Sequence, residues 1–64
     1  MKLKELKKGQ YFTKRWIEEP TDDQVWIRGD FDRSTGKYEC QRFSDISCFC
    51  LLTGTREVYT DFTF

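Results

Sequence analysis

Val25-Trp26-Ile27-Arg28-Gly29-Asp30-Phe31-Asp32, then Arg33-Ser34-Thr35-Gly36, then Lys37-Tyr38-Glu39-Cys40-Gln41-Arg42-Phe43 constrains the fold more than any other feature of this chain. The two flanks alternate β-branched and aromatic residues with polar ones, and the middle carries the Ser, Thr and Gly that a tight connection requires. The run therefore predicts a β-hairpin. A four-residue loop sets Asp32 opposite Lys37 and Phe31 opposite Tyr38, and unbroken pairing then matches Gly29 with Cys40, Ile27 with Arg42 and Trp26 with Phe43. A three-residue loop with a glycine bulge sets Phe31 opposite Glu39 instead. Because a one-residue slip exchanges the two faces of a strand, the four-residue loop is preferred: it gathers Val25, Ile27, Phe31, Tyr38 and Cys40 on one side, the expected core. Gly29 has no side chain to pack in mid-strand, so it marks a bulge or a bend where the sheet curls.

The remainder of the chain is short, and most of it reads as strand. Leu3 and Leu6 stand at i and i+3 before Gly9, which suits a helical turn closed by a left-handed residue. Tyr11 to Ile17 alternates as a strand, Glu18 to Asp23 is an acidic loop around Pro20, and Ser44 to Ser47 has turn chemistry. Cys48 to Leu52 is an apolar run fit for a buried strand, and Arg56 to Phe62 reads as a last strand. The count is five. With two Trp, three Tyr and six Phe in 64 residues, the expected class is all-β: a small five-stranded curled sheet or half-open SH3-like barrel with a helical turn at the N-terminus. One domain spans 1–64, with 1–10 as a basic arm and 11–62 as the barrel.

Charge balances overall but is unevenly spread. Eleven basic and eleven acidic residues cancel, yet residues 1–16 hold six cations against Glu5 alone, and the remainder holds ten acids against five cations. An arm of this kind either attracts its own acidic body or meets a polyanion. The odd count of three cysteines, with no signal-like apolar segment behind Met1-Lys2, predicts a reducing, cytoplasmic setting. No apolar run approaches a membrane span.

The combination Leu-x-x-Leu-Lys-x-Gly-x-x-Phe at 3–12, Val-Trp-Ile-Arg-Gly-x-x-Asp-Arg at 25–33, Lys-Tyr-x-Cys at 37–40 and Val-Tyr-Thr-Asp-Phe at 58–62 resembles a group of short uncharacterised proteins from gut-bacterial genomes and their phages. The resemblance implies a bacterial or phage origin. It transfers no activity and no functional residue.

The candidate chemistries divide clearly. The chain has no histidine, so the usual general base near neutral pH and the usual activator of a Cys or Ser nucleophile are missing, and no enzymatic activity is expected. Cys48 and Cys50 are two apart, which puts both thiols on one face of a strand rather than in a zinc knuckle; together with Cys40 they read as small core residues. No cofactor, metal or small-molecule substrate is expected. Under the unbroken register, Trp26 with Phe43 and Arg28 with Gln41 form a face on which single-stranded bases could stack, with Lys4, Lys7, Lys8 and Arg15 as phosphate contacts. Asp30 and Glu39 on that face oppose this, and in a chain so short of apolar residues the favoured reading is that Trp26 and Phe43 complete a second small core under the arm or last strand. The expected role is a non-catalytic binding or accessory protein with a protein partner or a second copy, and no membrane partner. Single-stranded nucleic acid through Trp26, Arg28, Gln41, Phe43 and the basic arm is the alternative. The tail aromatics Phe62 and Phe64 either fold back or meet another subunit.

Overall fold

A computed structural model describes all 64 residues, folded around one four-stranded antiparallel sheet. The strands are β1 (Tyr11–Phe12), β2 (Trp26–Asp32), β3 (Lys37–Arg42) and β4 (Asp45–Thr53), in spatial order β1-β2-β3-β4. Two single 3₁₀ turns, Leu3–Glu5 and Asp22–Gln24, are the only helical elements. Leu3 and Leu6 both enter the core, as their spacing requires, but the turn ends at an extended Leu6. Gly9, at φ +89, belongs to a separate turn in which Gln10 N–H donates to Lys7 O.

The central hairpin closes as its turn chemistry predicts, with Asp32 opposite Lys37 and Phe31 opposite Tyr38. Asp32 Oδ1 accepts hydrogen bonds from Ser34 N–H and Oγ inside that turn, at 3.0 and 2.7 Å. Beyond Phe31 the register shifts, because Gly29 and Asp30 together face the stretch of β3 around Glu39. A Cβ placed on Gly29 would lie 2.6 Å from the Glu39 carbonyl oxygen, so only glycine lets the two backbones approach this closely. The bulge that Gly29 marks is therefore real, and it displaces the pairing by one: Arg28 faces Cys40, Ile27 faces Gln41 and Trp26 faces Arg42.

That slip corrects the expected core face on β2 only: Tyr38 and Cys40 face the core as expected and Val25 is buried, but Trp26 takes the place of Ile27 and Phe31 is half exposed. Alternation now puts Trp26, Arg28, Tyr38, Cys40 and Arg42 on the inner face and Tyr11, Ile27, Gln41 and Phe49 on the outer one. The main core consists of Leu3, Leu6, Phe12, Trp26, Cys40 and Val58, with Tyr38, Cys48, Cys50 and Leu52 packed against it. Val25 is fully buried outside this cluster. Phe31 is half exposed, its ring edge-on to Tyr38 at 5.0 Å.

Four strands form instead of the expected five, in one sheet that does not close. The expected strand from Tyr11 to Ile17 is only two residues long, and Arg56 to Phe62 contributes two isolated bridges, Lys2 to Glu57 and Thr13 to Tyr59. The reason lies in how this last segment spends its backbone groups. Val58 N–H donates to Met1 O at 2.8 Å, whereas Tyr59 exchanges two hydrogen bonds with Thr13. Two partners from separate stretches interrupt any continuous ladder. The expected turn at Ser44 to Ser47 is also shorter: Phe43 and Ser44 make the connection and β4 already begins at Asp45. Asp45 Oδ1 holds Ser47 N–H and Oγ at 3.1 and 2.6 Å, and the β3–β4 register shifts there.

Candidate binding surfaces

The four residues expected to share one binding face are divided between two. Trp26 and Arg28 lie on the inner face, Gln41 and Phe43 on the outer, because the bulge at Gly29 rotates β2 by one residue relative to β3. Of the basic arm, Lys4 and Lys7 are exposed and anchored by their backbone N–H groups, to Gly54 O and Gln10 Oε1; Lys8 pairs with Asp30 at 2.8 Å; and Arg15 lines a groove beside Trp26.

The outer face begins with a direct row across all four strands, Tyr11, Ile27, Gln41 and Phe49. Next to it the tail folds back. Phe64 meets Phe43 at 4.9 Å and Tyr11 at 6.0 Å, and Tyr11 meets Phe43 at 5.5 Å, all between ring centroids. Thr63 N–H donates to Glu18 O, which ties the tail to the acidic loop. The three rings are edge-on or tilted, the geometry their quadrupoles favour, but they are not sealed from water. Tyr11 remains 43% exposed, Phe64 51% and Phe49 60%. A cleft of about 410 Å³ runs between Gly9–Tyr11 and Thr60–Phe64. The charges bordering Phe49 are the Lys8–Asp30 pair and Glu39, so this surface has no excess of cations.

A second, chemically different site lies beside Trp26. Lys14, Arg15 and Arg42 surround a groove of about 310 Å³, with Ile17, Gln24 and Asp23 completing its wall. Lys14 Nζ sits 3.9 Å from the Trp26 ring centroid and Arg42 Cζ 5.1 Å from it, so the indole carries two cations by cation–π attraction. Trp26 is itself only 7% exposed and offers no open face on which a base could stack. On the same inner face Arg28 lies over Tyr38 at 4.2 Å and donates to Gly29 O.

The thiols are structural in placement. Cys40 is fully buried, and burial first, then the neighbouring Cys50, pushes its thiol up to about 11. Cys48 and Cys50 pack against the core from one side of β4, as their spacing predicts. No group of three or more Cys, Asp or Glu side chains is placed to hold a metal ion. Asp32 and Asp45 are held below the usual carboxylate range by hydrogen bonds from Ser34 and Ser47, which makes them turn fasteners. No helix is long and apolar enough to cross a membrane.

Tyr11 and Phe49 on the outer face, and Lys14 and Arg42 beside Trp26, were not among the expected site residues. Only Arg42 had a signal in the chain, the bulge at Gly29 that sets it opposite Trp26; the other three depend on pairings between strands or on the loop after β1. No protein-family model, curated protein or solved structure matches the chain.

Proposed function

We propose that this is a small non-catalytic binding module that receives a protein partner on the outer face of its sheet. One observation carries the reading: Tyr11, Phe43, Phe49 and Phe64 present aromatic surface around Ile27 and Gln41, with a cleft beside Tyr11 and no surplus of positive charge. Exposed aromatic patches with a polar rim are the usual composition of protein-binding surfaces. Glu39 and the acidic loop tied to the tail select a partner segment with apolar side chains flanked by basic ones. The scaffold is read as a half-open SH3-like sheet, supported by the Thr13–Tyr59 bridge, where a fifth strand would join.

The rival is single-stranded nucleic acid. It is less well supported, since Trp26 is covered and Lys8 is paired with Asp30. Selection from a displayed peptide library, followed by binding titration, separates the two. The expected result is enrichment of apolar sequences with basic flanks, weakened about tenfold by Phe49→Ser or Tyr11→Ala and only modestly by salt. Peptides that bind both variants as well as the wild type would sink the proposal. So would binding to a mixed-sequence oligonucleotide that collapses as salt is raised.

A further inference from the structure

We infer that the groove beside Trp26 is a binding site for an oxyanion of the phosphate class, held by Lys14, Arg15 and Arg42. The inference is independent of the outer-face reading, because the groove lies on the other side of β2 and shares no residue with the aromatic patch.

Three cations line it, and none of them forms an ion pair within 4.0 Å. The molecule has two ion pairs within 4.0 Å, Met1 to Glu57 and Lys8 to Asp30, and neither involves the groove. The one carboxylate in the groove wall, Asp23, accepts a hydrogen bond from Ser44 Oγ at 2.7 Å. Asp45, opposite Arg42 in the strand register, is hydrogen-bonded by Ser47 and attracts Arg42 without closing to an ion pair. Arg42 Nε is shut away from solvent with no hydrogen-bond partner, a donor whose unmet demand is costly in a buried setting. Like charges around one groove repel one another, and an anion placed among them offsets that repulsion.

The surroundings strengthen the attraction. Trp26 and Ile17 supply apolar wall, so the field of the cations is less screened than at an open surface. Stacking on the indole orients Lys14 and Arg42 without using their N–H groups on protein acceptors. Those donors stay free for a ligand with several oxygens, and an arginine fork matches the edge of a phosphate. A single carboxylate would satisfy fewer of them. A nucleic-acid base has no place, because the indole is covered by its own cations.

The test uses the full chain with Trp16→Phe, which removes an exposed indole and leaves Trp26 as the only reporter. Inorganic phosphate and glycerol 3-phosphate are titrated against sodium chloride at matched ionic strength, reading Trp26 fluorescence and backbone amide shifts. A saturable response to phosphate, centred on residues 14–17, 24–26 and 42, is expected. Arg42→Gln should weaken it about tenfold and Arg15→Gln a few-fold. Arg15 is exposed, so its variant tests charge even if Arg42→Gln unfolds the chain. Saturation by both ligands identifies the phosphate group as the recognised element, and saturation by inorganic phosphate alone identifies the free ion. Equal, unsaturable responses to phosphate and chloride overturn the inference, as does phosphate affinity unchanged by Arg15→Gln with Arg42→Gln.

Discussion

The inner and outer faces of the sheet are built from the same strands, yet they carry opposite chemistry. The inner face places Trp26 under Lys14 and Arg42, with Phe12 and Cys40 fully buried beside it. Its outer counterpart carries Tyr11, Phe43 and Phe64 in mutual contact and leaves Tyr11 43% and Phe64 51% exposed. Hydrophobicity alone does not separate them, since both are rich in aromatics. What separates them is cover. The inner face lies under Leu3, Leu6 and Val58, whereas the outer face has only a folded-back tail.

The most decisive way to break the comparison is to remove one ring from each side. Phe12→Ala should cost about 3–5 kcal/mol, enough to unfold much of a domain this small, while Phe49→Ser should change stability by no more than about 0.5 kcal/mol. Urea unfolding followed by far-UV circular dichroism checks both. Equal losses would mean that the outer face is core. Next in size is Gly29→Val. The added atoms meet the Glu39 carbonyl, and a loss of about 1–3 kcal/mol is expected; a neutral result would show that the bulge does not set the register.

Thiol chemistry sharpens the contrast further. At pH 8, iodoacetamide should modify half-buried Cys48 and Cys50 before fully buried Cys40, as read by peptide mass analysis. Cys40 also sets a pH direction. Its folded pKa of about 11 lies above its ordinary 9.0, so between these values the unfolded chain has lost a proton that the folded chain keeps. Stability therefore falls as pH rises through that window, and Cys40→Ala should flatten the slope. Unchanged alkaline slopes in the variant would rule out this origin.

The smallest effect lies at the acid end. Asp32 and Asp45 have lowered folded pKa values, so their contribution is present above the ordinary value of 3.8 and is lost as pH falls through the folded values. Asp32→Asn with Asp45→Asn should make the acid limb of a pH–stability profile shallower. A profile that steepens would contradict the assignment of these two as turn fasteners.

Local chemistry was legible in the chain itself. The Arg33–Gly36 loop, the pairing of Phe31 with Tyr38 and the bulge at Gly29 rest on contacts between near neighbours or on glycine geometry. The faces of β2 were not legible by pattern alone. A period of two carries no memory of an inserted residue, so one bulge exchanged Ile27 for Trp26 in the core. The candidate surface followed that exchange, which separated Trp26 and Arg28 from Gln41 and Phe43.

By itself, then, the sequence determined an antiparallel β class, the central turn and the place where the sheet must bend, because propensity and glycine act over a few residues. Only the tertiary structure decided which side of the bend is buried, why Arg56 to Phe62 forms bridges instead of a strand, and which cations meet at Trp26. Each of those depends on segments distant in the chain competing for the same backbone groups and the same apolar cover: Met1 and Thr13 for residues 58 and 59, Phe64 for Tyr11 and Phe43.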